Sequence, residues 1–104
     1  MSPSLITHKN RLRRLRVLQI LYTSRPEELG VGIILHFLKK DTDLTPNKTN
    51  VTQSLDYLEQ RGFCVITGKI NDMWQAKITV QGIEYLEGDD PGMDGISHPD
   101  EFMS

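Results

Sequence analysis

The sequence predicts a mainly α fold with one β-hairpin: three helices, two strands and a closing helix, α-α-α-β-β-α in chain order. Three observations predict it. Residues 45–61 carry Val51, Leu55 and Leu58 at i, i+4 and i+7, one apolar helical stripe. The period changes after Gly62, where Phe63–Thr67 is β-branched and Met73–Thr79 alternates about a turn at Asn71-Asp72, as a hairpin does. Thr79 then stands before Val80, Ile83 and Leu86, a cap followed by a short apolar helix.

The elements follow in order. Residues 1–7 are expected to form a loose, polar lead-in. The first helix runs from His8 to Thr23, with Leu12, Leu15, Leu18 and Leu21 every third residue and Val17 and Tyr22 beside them. Arg11, Arg13, Arg14 and Arg16 crowd its first half; they suit phosphates, or equally a solvated face. Pro26 ends the helix by disfavouring a helical residue before it. A second helix is expected from Glu27 to Lys40, acidic at its start and basic at its end, with Ile33, Ile34, Phe37 and Leu38 in the core. Gly30 and Gly32 weaken its beginning. In the third helix, Thr45 is the expected cap, Pro46 the first helical residue and Gly62 the stop. In the hairpin, Trp74 and Ile78 should pack on the core with Phe63. The fourth helix ends at Gly88. Residues 89–104 are an acidic tail that Ile96, Phe102 and Met103 can anchor. One domain, 8–88, is therefore expected between two ends.

Net charge is −2, but unevenly placed: ten Lys+Arg against six Asp+Glu up to Gly62, two against eight beyond it. A basic front permits nucleic-acid binding on one side. A single cysteine, Cys64, excludes an internal disulfide. No apolar run approaches membrane-spanning length and the N-terminus lacks a secretory core, so a cytoplasmic protein without a membrane partner is expected. The sequence has no Gly-rich phosphate loop, no HExxH and no paired-carboxylate setting. Cys64 lies far in sequence from His8, His36 and His98, and His36 has no second ligand at metal spacing. Neither enzymatic activity, a metal nor a cofactor is expected.

The second and third helices with the turn between them make a helix-turn-helix, and the hairpin would be its wing. LDYLEQRGFCVI, with Leu55, Leu58, Glu59, Gly62 and Phe63, resembles the end of a winged-helix recognition helix running into a strand. ITVQGIEYL, with Thr79, Gly82 and Leu86, resembles the passage from the second wing strand into the last helix. Both are similar to winged-helix repressors of the arsenic-sensor and multiple-antibiotic-resistance types, although the paired cysteines of the arsenic sensors are missing. Arg11 to Pro99 also resembles a small winged-helix protein of Mu-like bacteriophages and prophages, with Gly95-Ile96 and Pro99 in the tail GDDPGMDGISHPD. The tail departs from that pattern in carrying Asp89, Asp90, Asp94 and Asp100 where basic residues belong.

The phage resemblance implies a phage or prophage protein sometimes labelled a regulator, and the favoured expectation is a regulator in a bacterial host's cytoplasm that binds double-stranded DNA. Lys48, Thr49, Asn50, Thr52 and Gln53 would face the major groove, where Asn and Gln can pair bidentately with adenine. Arg11, Arg13, Arg14 and Arg16, with Lys39 and Lys40, would hold phosphates, and Lys69 on the wing would add little beside Asp72. A homodimer through the first helix is expected. The alternative is a non-catalytic module that binds a protein partner; the net charge and the poor wing favour it, the polar face of the third helix favours DNA.

Overall fold

The computed structural model describes residues 4–40, 44, 46–88 and 96. It has four helices and a small three-stranded antiparallel sheet: α1 (Ser4–Thr23), β1 (Leu29–Gly30), α2 (Val31–Leu38), α3 (Lys48–Gln60), β2 (Cys64–Thr67), β3 (Gln75–Ile78) and α4 (Val80–Glu87). The strand order is β1-β3-β2.

Helix α1 is the centre of the packing and touches α2, α3, α4 and β3. Leu15, Val17, Leu18 and Leu21 are fully buried, and Leu12 is partly so. The helix begins at Ser4 rather than His8, so part of the expected loose N-terminus is helical.

The start of the second helix differs from expectation. Leu29 and Gly30 are extended and pair with Ala76 and Gln75 of β3, and the Val31 N–H continues the ladder to the Trp74 carbonyl. The glycines at 30 and 32 and Pro26 make this stretch a poor helix, and the edge of β3 offers it hydrogen bonds instead. Glu27 and Glu28 therefore precede the helix and do not sit in its first turn. A helix of eight residues has room for one buried face, here Val31, Ile34 and Leu38. Ile33 and Phe37, expected in the core, point away from it and are 51% and 44% exposed.

Helix α3 starts two residues after Pro46. Its cap is Asn47, whose side chain accepts from the Asn50 N–H while the Asn50 side chain accepts from the Asn47 N–H, a reciprocal capping box. Thr45 lies outside the described residues. Val51, Leu55 and Leu58 are fully buried, as their spacing requires. The helix ends as expected at Gly62, whose φ of 80° lies in the left-handed region. The Phe63 N–H reaches the Leu58 carbonyl and the Gly62 N–H that of Glu59, closing a Schellman motif.

The hairpin register puts Cys64 opposite Ile78 and Ile66 opposite Ala76, all four buried. Trp74 precedes β3 and packs half-buried against the core. Phe63 stacks on Tyr85 of α4 at 5.0 Å between ring centroids. In α4, Thr79 caps as expected by accepting from the Gly82 N–H. Val80, expected inward, is 69% exposed because it opens the helix; Gly82 and Tyr85 are its buried residues. Ile96 is fully buried; the rest of the tail, Phe102 and Met103 included, lies outside the described residues.

Candidate nucleic-acid interface

Burial of Val51, Leu55 and Leu58 turns the opposite side of α3 outward. On its first turns Lys48, Thr49 and Gln53 are exposed, and Asn50 and Thr52 are half-buried. Local hydrogen bonding already engages part of this set. Asn50 Oδ1 is held by the capping box at 3.2 Å. Thr52 Oγ1 donates to the Thr49 carbonyl at 3.0 Å, a bond available to a helical threonine. Lys48 Nζ lies 3.5 Å from Asp72 in the β2–β3 turn. Gln53 is exposed with no such bond among the described residues.

The four arginines of α1 do not act as one group. Arg13, expected to hold a surface phosphate, is only 7% exposed. It lies inside because α1 and α3 cross there. Its Nη1 donates to Asn10 Oδ1 at 2.8 Å and its Nη2 to the Leu44 carbonyl at 3.3 Å. Burial first, and the neighbouring Arg14 second, pull its pKa below the usual arginine value. Arg14 stacks over Tyr57 of α3 at 3.9 Å from the ring centroid, with Arg61 against the same ring at 4.9 Å. Burial lowers the Arg14 pKa, Tyr57 opposes that, and Arg61 adds to it. Arg16 bonds Gln19 at 2.9 Å and lines a separate groove between α1 and α2, with Ile20, Phe37 and Lys40. Arg11 is half-buried.

Lys69 is folded back onto α3. Its Nζ is 2.8 Å from Asp56 and 2.9 Å from Glu59, and those hydrogen bonds raise its pKa. Its charge is thus answered by two acids of α3. The hairpin also exposes three apolar side chains: Val65, Ile70 and Met73 are 44%, 99% and 70% exposed.

The structure does bring together Arg13, Arg14, Asn50 and Gln53. With Asn10 and Ser54 they line a polar cavity of about 40 Å³ between α1 and α3. Sequence reasoning missed Asn10, Tyr57 and Arg61. The i, i+3 spacing of Asn10 and Arg13 and the i, i+4 spacing of Tyr57 and Arg61 were the available signals.

Cys64 is buried and its thiol donates to the Leu55 carbonyl at 3.6 Å. His36 is exposed against Phe37, and no group of three or more His, Cys, Asp or Glu converges among the described residues. Among those residues no helix is long and apolar enough to cross a membrane. No family model matches the chain, and neither a curated protein nor a solved structure does.

Proposed function

We propose that the chain is a winged-helix DNA-binding protein whose α3 enters the major groove, with the β2–β3 hairpin as its wing. The observation that carries this reading is the outward face of α3: Lys48, Thr49 and Gln53 are exposed on its N-terminal turns, and Gln53 lines one cavity with Arg14 of α1. Base contacts are made from that half of a recognition helix. The element order, with β1 before the helix-turn-helix and a hairpin after it, supports the same reading. We extend it to a phage or prophage regulator on the strength of the Gly95-Ile96 and Pro99 tail pattern.

Base reading rests on Gln53 more than on Asn50, because Asn50 Oδ1 belongs to the helix cap. Gln53→Ala is expected to lower affinity for the specific site by about 1–3 kcal/mol and leave nonspecific binding nearly unchanged. Arg14→Ala should weaken binding to all duplexes alike and make the salt slope shallower by about one unit. The test is a fluorescence-anisotropy titration against duplex DNA over a range of salt. Absence of duplex binding even at low salt refutes the reading.

A second reading has its own support. The answered charge of Lys69 and the exposed Val65, Ile70 and Met73 suit a hairpin that contacts protein. Here the fold would be a non-catalytic interaction module.

Assembly as a homodimer through α1 remains part of the proposal, with a changed surface. Leu15, Leu18 and Leu21 are spent in the core, whereas Leu5 and Ile6 are 67% and 74% exposed at the helix start. Sedimentation equilibrium should find a dimer at micromolar concentration, and the Leu5→Glu, Ile6→Glu double variant should be monomeric. A monomeric parent chain disproves this.

A further inference from the structure

We propose that the tip of the β2–β3 hairpin and the groove beside it form a docking face for a second copy of this chain, each tip entering the other chain's groove. The tip is Ile70, which is 99% exposed. Tight turns are ordinarily built from Gly, Pro, Asn, Asp and Ser, and here a branched apolar side chain stands in solvent just before Asn71 and Asp72. It is also held in place. The Met73 N–H donates to the Gly68 carbonyl at 2.9 Å and the Asp72 N–H to the Lys69 carbonyl at 3.1 Å, closing the turn around Ile70. Lys69 Nζ ties the same turn to Asp56 and Glu59 of α3. A side chain presented on a fixed turn loses little freedom when it docks.

The groove lies between the start of α2 and the residues that follow the turn, with a volume of about 370 Å³. Gly32, Leu35, Met73 and Trp74 give it apolar walls. Gly32 keeps it open, since a Cβ there would meet nothing within 4 Å. Lys48 and Asp72, 3.5 Å from each other, line it as well.

The adjacency of these features argues for a second copy. Asp72 and Met73 belong both to the turn that carries Ile70 and to the lining of the groove, so knob and groove share one face. A two-fold contact joins a patch to itself, and this patch carries both halves of an apolar fit and both signs of charge. In the docked pair Lys48 of each chain faces Asp72 of the other. Two knobs and two grooves make a small interface, so association is expected at about 0.1–1 mM, a range reached when chains are held side by side. The proposal requires neither the DNA reading nor the dimer through α1. It takes up Lys48, so on the DNA reading a duplex and a second copy compete for the start of α3.

The test is sedimentation velocity of the full chain carrying Leu5→Glu and Ile6→Glu, which removes any contribution from the exposed start of α1. A shift from monomer to dimer is expected between about 10 μM and 1 mM. The indole NMR signal of Trp74, the single tryptophan, should move over the same range. Adding Ile70→Asp removes the knob, and adding Gly32→Glu fills the groove; each should weaken association at least about tenfold. Neither change disturbs the core, because Ile70 is in solvent and Gly32 has open space around it. Association that survives either substitution unchanged overturns the proposal; survival of Gly32→Glu alone assigns the contact to the tips without the groove. A chain still monomeric at about 1 mM also overturns it, and a hydrophobic dye that then moves the Trp74 signal assigns the groove to a small apolar ligand. A chain that self-associates but binds no duplex upholds this face and refutes the DNA reading. A chain that binds duplex but stays monomeric does the reverse.

Discussion

Gly82→Ala is expected to destabilise the fold by about 1–3 kcal/mol, because one added methyl overpacks a close contact. A Cβ at Gly82 would overlap the Phe63 carbonyl oxygen and lie 2.7 Å from Ile78 Cγ1. The backbone oxygen cannot yield as a flexible side chain would. The surroundings are tied as well. The Thr79 N–H donates to the Phe63 carbonyl at 3.0 Å, and Thr79 Oγ1 donates to the Gly62 carbonyl at 2.6 Å while accepting from the Gly82 N–H at 3.1 Å. The start of α4 is thereby clamped to the corner that ends α3. Melting by circular dichroism should show a drop of about 4–8 °C per kcal/mol for a domain of this size. Val80→Ala on the same helix, at a 69% exposed position, should change stability by no more than about 0.5 kcal/mol. A Gly82→Ala chain that melts with the parent would show that α4 can retreat from Phe63.

Alkaline pH should weaken the fold through Cys64. The thiol is buried, and burial first, then Glu59, push its pKa up to about 12, with Lys69 opposing and Asp56 adding. In the unfolded chain a thiol ionises near 8.5. Between those values the unfolded state loses a proton that the folded state keeps. Stability is therefore fully present below about pH 8.5 and falls as pH rises toward about 12. The slope approaches 1.36 kcal/mol per pH unit, so about 2 kcal/mol should be lost by pH 10. Urea unfolding of the parent and of Cys64→Ala at pH 7 to 10 isolates this contribution, since other titrations are common to both. Parallel pH dependence in the two chains would contradict a neutral, buried thiol. The same burial makes Cys64 a slow target for thiol reagents in the folded state.

Much of the fold was legible because local signals agreed. The stripe of Val51, Leu55 and Leu58, the stop at Gly62, the cap at Thr79 and the inward pair of Trp74 and Ile78 each have one favourable backbone solution. The hairpin register followed from alternation, because a slip of one residue would expose its apolar side. The paired passages around Gly62 and Gly82 were legible as patterns, but that they touch one another was not.

By itself the sequence determined four helices, a hairpin, their order and most of the core, since periodicity and caps are properties of neighbouring residues. The tertiary structure decided what depends on distant partners. Leu29 and Gly30 became a strand only because β3 had an edge to pair. Ile33 and Phe37 stayed outside because α2 proved short and buried one face. Arg13, indistinguishable in sequence from Arg11, Arg14 and Arg16, went inside because α3 crosses α1 at that turn. Lys69 lost its freedom to Asp56 and Glu59, which are near it only when the hairpin folds over α3. A charged side chain's role is set by what the fold places within a few ångströms of it, and local pattern carries no such distance.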